Sequence, residues 1–279
     1  MRNDGLMHKN NFCCLLMLLA ICSWSHPLFA QDYRIYTRIF HQSEATPETK
    51  PEVIARSLTI WHAGKAYDWI DQVGELVIYD PTERRYTIIS DPHKLGCTVD
   101  FSELRNFQKV ARAKAQEYLE DLSKSQSTQA DREIAKIQFQ LDPDFMLVPE
   151  LEGSTIRFES PVMAYHIETV VAPNVDTAEA FRQYADWAAQ LNYVLHGQSL
   201  IPGPRLVVNE ELRQRNLIPV RVQLSLNDEV GTKLTAEHNI QWDLSQTDRE
   251  RIRDWQAVLQ DPQYEYVDFQ KYQRTVLQD

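Results

Sequence analysis

His166 and Glu168 stand two residues apart in a run, Thr155–Val171, whose β-branched and aromatic content suits strands, so both side chains project from one strand face. An imidazole and a carboxylate so placed could serve as an acid–base pair or as two ligands of a metal ion. A third ligand is not visible in the sequence. A solvated strand face opposite Met163, Tyr165 and Ile167 explains the same spacing, and no metal is expected. His238 falls on the apolar side of its strand, between Ala236 and Ile240, where a histidine is either tuned for catalysis or simply a core residue with one satisfied hydrogen bond. Cys97, with His93 and Asp100 nearby, suggests a thiol hydrolase, but no family signature surrounds it, and a small buried thiol is the better reading, with an intermolecular disulfide the next. Asp142-Pro143-Asp144 offers two carboxylates without the further oxygens a calcium site needs, and reads as a turn.

No phosphate-binding loop, dinucleotide glycine pattern, Gly-X-Ser-X-Gly or His-Glu-X-X-His occurs, and a chain with eight glycines has few loops able to cradle phosphate. No cofactor is expected. Aromatic residues are the other chemical resource. Trp61 and Trp69 lie on the two arms of one expected hairpin, where they could line an apolar pocket or form a cross-strand pair. Leu104 and Phe107 lie on an apolar helical stripe with Phe101 and Val110. These four, Trp61, Trp69, Leu104 and Phe107, are the candidate lining of a ligand pocket, and His166 with Glu168 is the candidate polar site.

Several elements must position them. From Tyr33 to Val99 the chain reads as an antiparallel meander, with turns at His62–Lys65 around Gly64 and at Asp80–Arg84. Asp100–Glu103 has the pattern of a capping box and opens an amphipathic helix running to Leu122. The polar stretch 123–130 is the best internal boundary. Beyond it Ile137, Phe139 and Leu141 alternate as in a strand, Asp176–Glu179 opens a second helix ending at Gly197, and Ile201–Pro204 reads as a stiff turn. Val220–Leu226 and Leu234–Trp242 alternate strictly and predict a hairpin. Ser245–Asp248 caps a third helix carrying Ile252, Trp255 and Leu259. The expected fold is α+β: a curved antiparallel sheet with three main helices.

The N-terminus bears on location. Arg2 and Lys9 precede the apolar run Phe12–Cys22, and Leu28-Phe29-Ala30 follows, the three parts of a secretory signal peptide. The run is shorter than the roughly 20 apolar residues a membrane span needs. Residues 1–30 are therefore the expected leader and 31–279 a single domain. Lipidation at Cys22 is the competing processing route, with Ile21 bulky where a small residue normally precedes the modified cysteine. Losing Arg2, Lys9 and Asp4 with the leader leaves 27 basic against 39 acidic residues, which argues against nucleic acid as a partner. Of four cysteines only Cys97 remains, so the mature chain has no internal disulfide. The absence of an Asn-X-Ser/Thr sequon from the mature chain favours a bacterial periplasm or cell envelope.

The stretch Leu58–Ser90, LTIWHAGKAYDWIDQVGELVIYDPTERRYTIIS, resembles the periplasmic lipoprotein carriers of the LolA type in its beat of strand, turn and strand. The resemblance implies a half-barrel: a curved antiparallel sheet wrapped around helices and an apolar cavity for acyl chains, with lipid or lipoprotein as partner. The family's cavity arginine has three candidate positions here, Arg56, Arg84 and Arg85, and is carried over to none of them.

Together these observations favour an exported binding or carrier protein over an enzyme. The alternatives are an exported hydrolase with a site near His166 and Glu168, and a structural envelope protein. Secreted material should begin at Gln31 on N-terminal sequencing; a start at Met1 or at a lipidated Cys22 would contradict the leader reading.

Overall fold

The computed structural model describes residues 32–43, 50–125, 127–148, 154–195, 199–228 and 231–277. The leader, its cleavage site after Ala30, Cys22, Gly153 and Gly197 lie outside the described residues. Six strands come first: β1 (Tyr33–Ser43), β2 (Glu52–His62), β3 (Lys65–Ile70), β4 (Glu75–Asp80), β5 (Arg85–Ser90) and β6 (Leu95–Asp100). Then follow α1 (Phe101–Leu122), α2 (Thr128–Leu141), β7 (Met146–Val148), β8 (Thr155–Glu159), β9 (Met163–Val171), α3 (Val175–Leu195) and α4 (Gly203–Gln214). The chain ends with β10 (Leu217–Leu226), β11 (Thr232–Gln241), α5 (Gln246–Val258), β12 (Glu265–Tyr266) and α6 (Phe269–Val276).

All the strands belong to one curved, unclosed sheet in the order β12-β6-β5-β4-β3-β2-β1-β11-β10-β9-β8-β7. Two antiparallel meanders, β1 to β6 and β7 to β11, meet where β1 pairs with β11; only the short β12 joins in parallel, beside β6. The sheet alternates its side chains between two faces. On the inner face, Tyr33, Trp61, Val77, Tyr79, Tyr86, Ile88 and Val99 pack under α1, α3 and α6. Further along that face Phe158, Met163, Tyr165, Val222 and Leu224 pack under α4 and α2. On the outer face α5 lays Ile252 and Trp255 over Leu58, Ile60, Tyr67 and Ile78. Burial on both faces explains why β4 has no exposed residue and why its sequence, ELVIYD, does not alternate.

The three expected helices correspond to α1, α3 and α5, but the described residues contain six, so three main helices is an undercount. The reading of Ile137, Phe139 and Leu141 as a strand fails. Ser127 accepts a hydrogen bond from the Ala130 amide and starts α2, which buries Ala130, Ile137 and Gln140 at helical spacing. Apolar alternation over so short a stretch does not separate strand from helix. The stiff turn at Ile201–Pro204 is the start of α4, with Pro204 at its head where a missing amide costs nothing. A Cβ on Gly203 would run into the Gln140 carbonyl, so this close approach of α4 to α2 requires glycine. The third missed helix, α6, is short but buries Phe269 and Tyr272.

Capping differs from expectation in two of three places. Asp100 precedes α1 without a side-chain cap bond, and Asn174 rather than Asp176 caps α3 through the Thr177 amide. The Ser245–Asp248 box is fully formed. On α1 the apolar stripe is buried only in the first turns; Val110 and Tyr118 are exposed.

The β10–β11 hairpin pairs Leu224 with Leu234 and Val222 with Ala236 on the inner face. Leu224→Ala should cost about 2–5 kcal/mol. An unchanged urea midpoint would show that this face does not hold the second half of the sheet.

Candidate functional site

The structure divides the four pocket candidates. Trp61, Leu104 and Phe107 lie together on the inner face in a continuous aromatic layer. Trp61 stacks on Tyr33 at 4.4 Å between ring centres and meets Tyr184 edge-on at 5.1 Å. Phe101 stacks on Trp187 at 3.9 Å and Phe107 packs on Phe269 at 5.6 Å, while Leu104 has no exposed surface. Trp69 is on the opposite face, beside α5.

His166 and Glu168 share the outer face of β9 and are both exposed, as the two-residue spacing requires. Their neighbours differ. His166 lines a polar cleft of about 450 Å³ with Arg157, Glu159, Gln223 and Lys233. Glu168 instead belongs to a row of alternating charge: it stands opposite Arg221, Arg221 opposite Glu237, and Glu237 opposite Arg38. Arg38 donates to Glu237 at 2.8 Å. Opposite charges across adjacent strands stabilise a solvated sheet face by pairing.

His238 is on the inner face, as the alternation implies. Its Nδ1 shares a 2.9 Å hydrogen bond with the Thr37 hydroxyl across the β1–β11 seam. Burial, with the Arg205 charge adding to it, lowers its pKa to about 4, so the ring is neutral at pH 7. Arg205, on α4, was not singled out by the sequence. Desolvation lowers its pKa, with Tyr165 and Asp186 opposing, and among the described residues it makes no ion pair. Arg56, Arg84 and Arg85 are all exposed. Cys97 is fully buried, and burial pushes its thiol well above the ordinary range, which keeps it unreactive.

The most perturbed acids were also missed. Asp68 lies on the inner face of β3, where it accepts hydrogen bonds from the Thr59 hydroxyl at 2.8 Å and the Tyr184 hydroxyl at 2.9 Å. Glu75, on the same face of β4, accepts from the Tyr272 hydroxyl of α6 at 2.7 Å, and its other oxygen has no protein partner. Burial raises both pKa values, that of Glu75 to about 7, with Asp68 reinforcing the rise and Tyr272 and His93 opposing it. No sequence motif marks either residue; only the stacking of α3 and α6 on the sheet half-buries Asp68 and buries Glu75.

The described residues contain no group of three or more His, Cys, Asp or Glu side chains able to hold a metal ion, and no helix among them is long and apolar enough to cross a membrane. A cleft of about 640 Å³ lies between α2 and the β9 and β10 ends. Its apolar lining is Ala135, Val162, Met163 and Leu226, and Arg132 and Lys136 of α2 stand among its polar residues.

No family model and no curated protein matches the chain. Among solved structures it is weakly similar in fold to a LolA superfamily protein from Nitrosomonas europaea. That likeness covers 81% of this chain and 92% of the other, at 8% sequence identity and a TM-score of 0.29. At that distance it says nothing of function.

The acids generate a pH dependence. Glu75 titrates near 4.5 in an unfolded chain and near 7 in the fold, so between these values the native state holds the extra proton. Stability is therefore full below the unfolded value and falls as pH rises, by roughly 3 kcal/mol once pH exceeds the folded value. Asp68 contributes in the same direction. Glu75→Gln should flatten the slope, its melting midpoint gaining on the wild type between about pH 5 and about pH 8. A wild-type midpoint that climbs over this range would contradict the assignment.

Proposed function

We propose that this chain is an exported, non-enzymatic binding or carrier protein for an apolar ligand such as a long-chain lipid or the acyl chains of a lipoprotein, held in the cleft beneath α2. The observation that carries the reading is the cleft itself. Ala135, Val162, Met163 and Leu226 give it an apolar lining, and its volume is within the roughly 300–1,000 Å³ of small-molecule sites. Lys136 and Arg132 are also in the lining, beside Glu133 and Asp228, and offer cations to an acidic head group. The leader at residues 1–30 supports export to the periplasm or cell envelope. This reading prefers the α2 end of the inner face to the neighbourhood of Trp61, Leu104 and Phe107, because those residues pack against helices.

The non-enzymatic part rests on the surroundings of the polar groups. His166 and Glu168 face different neighbours, and Glu75, whose pKa burial raises most clearly, is enclosed beneath α6, where a substrate does not reach it without local opening.

A dansyl-labelled long-chain fatty acid should bind with saturable enhancement of its fluorescence. Ala135 is exposed on α2, so Ala135→Trp fills the cleft without disturbing the core. It should weaken binding by about tenfold or more, since each displaced methylene forfeits about 0.8 kcal/mol. Absence of binding, or binding indifferent to this substitution, would refute the reading.

A further inference from the structure

Another cleft, of about 600 Å³, opens on the outer face of the sheet beside α5. One wall is a single cross-strand row. Asn239 on β11 stands opposite Tyr36 on β1, Tyr36 opposite Leu58 on β2, and Leu58 opposite Trp69 on β3. Arg34 extends the row by one step along β1, and Asp71 follows the end of β3. The facing wall is α5, where Arg251 and Trp255, one turn apart, flank the buried Ile252.

The chemistry of this lining is specific. Trp69 and Trp255 are half-buried, each anchored in the outer-face core while contributing to the cleft. The negative face of an indole attracts the polarised C–H bonds of a sugar ring. The two arginines differ in their commitments. Arg34 is held by Gln241, to which it donates at 2.8 Å, and lies 3.6 Å from Asp248. Arg251 is exposed and makes no ion pair among the described residues. An uncommitted guanidinium offers a bidentate site for a carboxylate. Asn239 and Asp71 are both exposed; the Asn239 amide can donate to and accept from hydroxyl groups, and the Asp71 carboxylate can accept from them. Leu58 is the single aliphatic lining residue, so the cleft does not suit an alkyl chain.

We propose that this cleft is a binding site for a short acidic saccharide, with a pyranose ring against the indoles, its carboxylate on Arg251 and its hydroxyl groups on Asn239 and Asp71. The site is on the opposite face of the sheet from the cleft beneath α2 and does not depend on the carrier reading. It gives the protein a second ligand class, one found in cell-envelope and extracellular polysaccharides.

The test titrates trigalacturonate into the folded protein by calorimetry and intrinsic tryptophan fluorescence, with maltotriose and adenosine monophosphate as comparators. Trigalacturonate should bind saturably and in preference to both. Arg251→Ala should weaken it by about tenfold or more, the loss of one charge-assisted hydrogen bond, with an unchanged melting midpoint. Arg253→Ala, on the same helix but outside the cleft, should have no effect. No binding of trigalacturonate, equal binding of maltotriose, a preference for the nucleotide, or equal effects of the two arginine substitutions would each overturn the proposal. Binding of the dansyl fatty acid should be the same in Arg251→Ala and wild type, which separates the two sites.

Discussion

The pairing of β1 with β11 is the constraint on which the rest of the structure depends. It runs in continuous register from Arg34 opposite Gln241 to Ser43 opposite Thr232, and it joins two meanders that could otherwise fold as separate sheets. Thr37 and His238, which bond across it, are 201 residues apart in sequence. Side chains fasten the seam on both faces: Thr37 with His238 inside, and Arg34 with Gln241 and Arg38 with Glu237 outside. A pairing so distant carries a large loop-closure cost, so it forms late, after the two meanders have local structure to offer.

The seam also sets the division between faces. A continuous sheet has one inner and one outer surface, and the helices distribute themselves accordingly. The N-terminal meander is covered by α1, α3 and α6 inside and by α5 outside, which makes it the two-sided core of the protein. The C-terminal meander is covered by α2 and α4 on its inner face, and its outer face carries the polar row of Arg157, His166 and Gln223 and the charged row of Glu168, Arg221 and Glu237. The two clefts proposed as ligand sites lie where a helix only partly covers the sheet, beside α2 on one face and beside α5 on the other.

The inner layer of the N-terminal half is unusual in its polar content. Besides Asp68 and Glu75, the hydroxyls of Tyr33 and Tyr86 and the indole nitrogen of Trp61 are buried without a protein hydrogen-bond partner. Each such group costs about 1–3 kcal/mol, so this layer is held by aromatic packing rather than by hydrogen bonding. The Tyr272–Glu75 bond ties the last helix to the middle of the sheet and ranks among the few polar contacts there that face no water on either side.

The sequence by itself determined the local elements whose signals are local. The meander turns, the alternating hairpin from Val220 to Trp242, the Ser245 capping box, and the shared face of His166 and Glu168 all follow from period and turn chemistry within a dozen residues. It did not determine α2, α4 and α6, since short helices that bury a few residues each depend on the surface they land on. Nor did it determine which face each aromatic would occupy. Trp61 and Trp69 looked equivalent on their hairpin, yet β2 and β3 turn Trp61 inward under α3 and Trp69 outward under α5. Tertiary structure alone decided the burial of Glu75 and the partial desolvation of Asp68 and Arg205, and brought Asn239, Tyr36, Leu58 and Trp69 into one row. The physical reason is that desolvation and cross-strand adjacency are properties of register between distant strands. That register is fixed by the β1–β11 seam rather than by any neighbouring residue.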